Sequence, residues 1–321
     1  MSIFAFQNIK GAVIALTALT AAAACTMQTD TPAPPSQRPA TEKPLAQLTA
    51  PAPTGGSAYY KNYYAKIQHS LLVHDQLRRD GGGPDTPYTA EMLARNFERI
   101  AFNSEYSTIG NRRVSEERAV KLTRWTKPVR YALNFGEAVP EEDRAKDQQT
   151  FSKYVSRLAR HTRHPISASQ SGANFNVFIL TEDERRNFGA QLQSFVPGIS
   201  LSDQREITGL RRDTQCVVLA VDRDDDNRIE RAIAVIRAEL PDRMRTACLH
   251  EEMAQGLGLP NDSPVARPSI FNDSDEFGLL TSHDELLLQM LYDRRLRPGM
   301  SADEARLTIN KIAAELVDGT V

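Results

Sequence analysis

What this chain lacks narrows its chemistry before any motif is read. Its 321 residues include only three cysteines and six histidines, so a site needing several thiolate or imidazole ligands has few residues to draw on. His69 and His74 share one N-terminal helical stretch, and His161 and His164 flank the end of another helix, where a cation is stabilising without any function. No glycine-rich phosphate loop and no serine-nucleophile motif occurs, which removes the simplest signatures of nucleotide and acyl-transfer enzymes. An excess of basic charge is missing too. The formal net charge is −2 and the arginines are dispersed among acids, so no nucleic-acid partner is expected. No apolar run reaches the roughly 20 residues of a membrane-spanning helix, and there are no internal repeats. What remains, 40% hydrophobic and 25% charged, suits a globular body with a sizeable core.

The first 24 residues stand apart from that body. Lys10 supplies a short basic start, residues 11–24 are apolar (GAVIALTALTAAAA), and Cys25 follows the alanines. This is the layout of a secretion signal over residues 1–24. It resembles bacterial lipoprotein signals, in which the cysteine becomes the lipidated first residue, although Ala22 stands where such signals usually carry Leu. Loss of Lys10 with the leader moves the formal charge from −2 to −3. Seven of the 18 prolines fall in residues 26–56, which hold no aromatic residue. Such a segment buries too little apolar surface to offset its ordering entropy. Residues 25–56 therefore read as a lipidated Cys25 followed by an extended tether. The expectation is a protein on the periplasmic side of the cell envelope, held to the membrane by an N-terminal lipid, with an envelope protein or cell-wall material as partner.

Residues 57–110 are expected to form N-terminal helices, and residues 111–321 the main domain. Tyr60, Tyr63, Tyr64, Ile67 and Leu71 have helical spacing up to the turn GGGPD at 81–85, and Leu93, Phe97, Ile100 and Ala101 mark a second helix from about Thr89. Residues 129–135 and 174–180 alternate apolar and polar side chains and read as strands. Between them, Pro140 and the acids Glu141, Glu142 and Asp143 suit a helix start. Thr181 with Glu184, and Ser301 with Glu304, are capping boxes. Residues 216–221 and 229–240 read as strands joined by an acidic turn. That turn starts like a calcium loop at Asp222, but Ile233 stands where a bidentate Glu is needed, so a solvated turn is expected. Helix 241–257 follows, and the element order is α+β.

That helix carries the chemistry of interest, "HEEMAQGLGLPND" from His250 to Asp262. A zinc protease helix places two histidines four apart so that both imidazoles meet one ion. Four residues after His250 stands Ala254. Shifted by one, the stretch Glu251–Asn261 is similar to the metzincin pattern HExxHxLGLxH, with Glu251, Gln255 and Asn261 at the three histidine positions, Glu252 at the general-base position, and the Leu257-Gly258-Leu259 turn kept. "PSIFND" (268–273) falls where a Met-turn would be, and "LTSHDELLLQMLYD" (280–293) is similar to the closing helix of matrix-type metzincins.

Together with "RWTKPVRY", "GANFNVFIL" and "RRLRPGM", these pieces resemble a bacterial lipoprotein family catalogued as domain of unknown function 2927. The resemblance implies a zincin-like domain, with a mixed sheet packed on helices, and no established activity. Amide oxygens are poor zinc donors, so zinc is not expected. One carboxylate with two amides suits at most weak Ca²⁺ binding, and no cofactor is expected. The favoured reading is a buried network in a binding or structural module, with Asp262, Arg267, Asn272, Asp273, His283 and Asp284 in support. Within it, Arg267 pairs with Asp262 or Asp273 or meets an anionic group, and Ser282 with Asp284 caps the closing helix. The alternative is a metallopeptidase-like hydrolase of peptide or cell-wall substrates with Glu252 as general base. Cys216 and Cys248 are a disulfide in an oxidising compartment, or a buried thiol pair.

Overall fold

The computed structural model describes residues 3–8, 55–109, 112–272 and 274–319. Cys25, most of the leader, most of the tether and Asp273 lie outside them, while Gly55 and Gly56, expected as the end of the tether, open the first helix instead. In chain order the elements are β1 (Ile3–Asn8), α1 (Gly55–Val73), α2 (Ala90–Ala101), β2 (Asn103–Ile109), β3 (Arg112–Ala119), β4 (Arg124–Trp125) and β5 (Val129–Phe135). Next come α3 (Glu141–Thr162), β6 (Ile166–Ala168), β7 (Phe175–Leu180), α4 (Glu182–Arg186), α5 (Gly189–Phe195) and α6 (Leu201–Thr208). The last are β8 (Cys216–Asp222), β9 (Arg228–Ile229), β10 (Arg231–Arg237), α7 (Asp242–Gln255), α8 (Ser282–Leu291) and α9 (Ala302–Asp318).

The fold is α+β, built on a six-stranded mixed sheet in the order β1-β8-β10-β7-β5-β6. Strand β10 runs antiparallel to β8 and parallel to β7, and the β7–β5, β5–β6 and β1–β8 pairs are parallel. Strand β1 belongs to the segment expected as a leader, so a chain processed before Cys25 would keep β8 as its sheet edge. The central strands β7 and β8 are buried at every residue, as expected of strands covered on both faces. Their alternate residues feed two cores. Phe175, Val177, Cys216, Val218, Ala234 and Ile236 face the larger one with Met244, Leu249 and Met253 of α7. Phe178, Leu180, Val217, Leu219, Ile233 and Val235 face a smaller one closed by Phe188, Leu192 and Ile207. Alternation in residues 174–180 predicts one buried face. The second is buried because α5 and α6 supply a lid of short helices.

The N-terminal helices share the larger core, through Tyr64, Leu93 and Phe97, and α2 packs against α8 and α9. Two expectations about this region need correction. Helix α1 ends at Val73, not at the 81–85 turn, because Leu77 and Arg78 give their N–H groups to the carbonyls of Asp275 and Glu276 at 2.8 Å each. Helix does not continue to residue 110 either. Phe102 N–H closes α2 on Glu98 O, and the chain enters the antiparallel hairpin β2–β3, with Ile109 opposite Arg112. The Gly-Asn dipeptide at 110–111 is a hairpin signal in the sequence.

Helix α7 leaves the sheet through a turn that only glycine suits. Gly258 has φ +128°, and a Cβ there would sit 2.2 Å from the Thr123 carbonyl oxygen. Its neighbours Leu257 and Leu259 are fully buried, so the turn cannot swing outward without exposing both. Gly258→Ala is expected to destabilise the protein by about 2–4 kcal/mol, through the disfavoured backbone and the overpacked contact. Urea unfolding checks this, and a loss below about 0.5 kcal/mol would mean that the turn relaxes freely.

Candidate functional site

The C-terminal end of α7 is held by aromatic donors from elements distant in sequence. A helix leaves its last carbonyls without intrahelical partners. Here the Tyr131 hydroxyl donates to Met253 O at 2.8 Å and the Trp125 indole to Gly256 O at 2.9 Å. Tyr292 donates to Leu257 O at 3.1 Å, and one turn earlier Tyr154 donates to His250 O at 2.7 Å. Burial raises the pKa of Tyr131 and Tyr154 well above the usual tyrosine value, and raises that of Tyr292 as well. All three remain protonated donors.

The N-terminal half of α7 is tied by a charge and a covalent bond. Arg245, almost fully buried, donates to Asp147 Oδ2 at 2.7 Å and to the Leu240 carbonyl. Cys248 is bonded to Cys216 at the start of β8, with the Cα atoms 6.0 Å apart, which selects the disulfide over the thiol pair. Closing a loop of this length contributes about 2–4 kcal/mol, and the bond pins the helix to the sheet beneath it.

Between these anchors lie the motif residues. His250 is tied to the loop before α8. Its Nδ1 accepts the Leu280 N–H at 3.0 Å, so its proton sits on Nε2, and the ring stacks on Tyr154 at 3.9 Å. Glu251 is half-buried, while Glu252 is 0% exposed. Ligand atoms of Glu251, Glu252 and Cys216 all lie within 4.8 Å of one another. Gln255, buried, donates its amide to Asp262 Oδ1 at 3.2 Å. Asn261 turns to another element, donating to Arg99 O of α2 at 3.1 Å. The amides of Gln255 and Asn261 thus serve different partners. Glu251, Asp262, Asn272 and Cys248 help to line a small cavity of about 30 Å³, room for one or two waters or one ion.

The loop after the motif is organised by Asp284. Its fully buried carboxylate accepts from Ser269 Oγ at 2.5 Å, Ile270 N at 3.0 Å and Thr281 N at 2.9 Å. Thr281, not Ser282, is the N-cap of α8, and Asp284 completes a capping box with it. His283 Nε2 meets the Asn96 amide at 3.1 Å. Asn272 donates to the carbonyls of Pro264 and Ala266, closing the loop on itself. Arg267 differs from expectation, since it forms a two-pronged pair with Glu276 at 2.7 and 2.8 Å. Backbone pairing of 77–78 with 275–276 brings Glu276 beside it, and a half-exposed pair of this kind adds little stability.

A family model described as "Protein of unknown function (DUF2927)" matches residues 90–311. The chain belongs to this family. The match runs from the first residue of α2 into α9 and so takes in the sheet strands from β5 to β10 and the whole of α7. No curated protein and no solved structure matches the chain.

Two polar assemblies of this DUF2927 chain escape a reading by motif. The tyrosine donors look like apolar positions of a strand, a helix middle and a helix end, because nothing local marks where a hydroxyl points. Glu182, Arg185 and Arg237 form a buried ionic cluster below the second core, with Arg237 also donating to Thr214 O, Leu210 O and Arg211 O. Its one sequence signal is a charge ending the apolar run of β10. Hydrogen bonds from Arg185 and Arg186 hold the Glu182 carboxyl below its ordinary pKa despite burial.

Burial pushes the His250 pKa down to about 3, with the charges of Arg157 and Arg79 adding to the shift. The unfolded chain binds this proton near pH 6.5, whereas the folded chain refuses it until about pH 3. The contribution is therefore complete above pH 6.5 and is lost as pH falls toward 3, at up to about 1.4 kcal/mol per pH unit. Burial lowers His161 and His164 as well, adding the same sign. His250→Asn, which can still accept the Leu280 N–H, is expected to flatten the pH dependence of the urea midpoint over this window. An unchanged slope would locate the acid sensitivity elsewhere.

Proposed function

We propose that this protein is a lipid-anchored envelope protein, facing the periplasm, whose body is a zincin-like binding or structural module that no longer cleaves peptide bonds. Complete burial of Glu252 carries this reading. A general base must come within about 3 Å of the water or proton it acts on, and the nearby cavity of about 30 Å³ admits no peptide or glycan. Gln255 and Asn261 support the same reading, since their amides are engaged in cross-links from α7 and its turn to Asp262 and to α2. The zincin likeness rests on order: a mixed sheet, the α7 helix, a glycine turn, a returning loop and a closing helix α8. An envelope protein or cell-wall polymer is the partner class that fits a tethered body of this kind.

Glu252→Gln is the discriminating variant. It is expected to leave peptide and peptidoglycan hydrolysis indistinguishable from wild type, because neither protein turns these substrates over. Asn261→Ala is expected to lower stability by about 1–3 kcal/mol, the cost of stranding buried polar groups. Wild-type turnover abolished by Glu252→Gln with unchanged thermal stability would establish the hydrolase instead. Mass spectrometry of Cys25 in the mature protein tests the anchor, and an unlipidated Cys25 would remove that part of the proposal.

A further inference from the structure

We propose that reduction of the Cys216–Cys248 disulfide opens a zinc site made of the two thiolates and the carboxylates of Glu251 and Glu252. Cys248, Glu251 and Glu252 stand at i, i+3 and i+4 on α7, spacings that bring side chains together on one helix face. Cys216 meets them from the first residue of β8. One donor atom each from Cys216, Glu251 and Glu252 already lies within 4.8 Å of the others. Tetrahedral zinc, with ligand distances of about 2.0–2.3 Å, needs its donors about 3.3–3.8 Å apart, so these three close onto an ion with small movements, while the two sulfurs, bonded in the disulfide, part on reduction. The cavity of about 30 Å³ touching Cys248 and Glu251 supplies adjoining volume. Gln255 and Asn261 take no part, so this is not the metzincin ligand set in weakened form.

The two oxidation states differ in donor chemistry. Disulfide sulfurs are neutral and bind metals poorly, whereas thiolates favour zinc over calcium and magnesium. A dithiol reductant, R(SH)₂, supplies two electrons and two protons, yielding both cysteine thiols and the cyclic disulfide RS₂. Zinc then displaces the two thiol protons, and Zn²⁺ offsets the charge of two thiolates beside two carboxylates in a largely buried site. The metal replaces the covalent link as the tie between α7 and β8. This inference goes beyond the module reading, and its readout is metal content, so the two stand or fall separately.

The test uses the full chain, reduced anaerobically with a phosphine, loaded with Zn²⁺ and desalted. Elemental analysis is expected to find about one zinc per reduced chain and none in the oxidised protein. Co²⁺ in place of zinc is expected to give a sulfur-to-metal charge-transfer band. Glu251→Gln, at the half-buried ligand, is expected to weaken zinc binding by at least about ten-fold while the disulfide still forms. Equal zinc in the oxidised protein, or in the Cys216→Ser/Cys248→Ser variant, would overturn the proposal. So would a reduced protein of native near-ultraviolet circular dichroism that takes up no zinc. Loss of that signal on reduction, without recovery when zinc is added, also counts against it.

Discussion

The structure depends on how the end of α7 is satisfied. A buried helix terminus in a sheet protein leaves carbonyls that water cannot reach, and each unmet acceptor costs on the order of 1–3 kcal/mol. This protein meets the cost with Tyr131, Trp125 and Tyr292 at the terminus and Tyr154 a turn earlier. The donors come from β5, β4, the segment after α8, and α3, so four parts of the chain must be in place before α7 can end where it does. The aromatic rings also fill the larger core, which makes packing and hydrogen bonding a single constraint.

That constraint fixes where the glycine turn, the returning loop and α8 can begin. In a metal site the ion would gather the helix, the turn and the returning loop. Here the same segments are gathered by the disulfide at Cys248, the Gly258 turn against Thr123, the Asn261 contact with α2, and the Asp284 carboxylate. Each ties one of these segments to another part of the chain. Glu252 is fully buried within this assembly.

Much of the fold was legible because it is locally encoded. Strand β5 coincides with its alternating pattern over 129–135, and the capping boxes at Thr181 and Ser301 are present as their spacing implied. The pairing of Cys216 with Cys248 was one of two readings open to the sequence, and the structure holds the bond. What could not be read depends on distant partners. The second core under β7, β8 and β10 required short helices whose sequences carry weak periodicity. Arg267 met Glu276 only because two loops pair their backbones, and the tyrosine hydroxyls found carbonyls up to 122 residues away. For the candidate site, the identities of Gln255 and Asn261 were visible, but their separate partners were not, since direction is set by tertiary packing.

The Asp284 carboxylate has a dynamic corollary. It accepts N–H groups from Ile270 and from Thr281 while capping α8, so the first turn of that helix and the segment before it cannot open independently. Amide hydrogen exchange in such an arrangement is governed by a shared opening event, not by local fraying. Residues 269–271 have no regular secondary structure, yet they belong to the same cooperative unit as α8. The irregular segment facing α7 is thus kinetically part of a helix, and a partner docking there would meet a surface whose shape is set before contact.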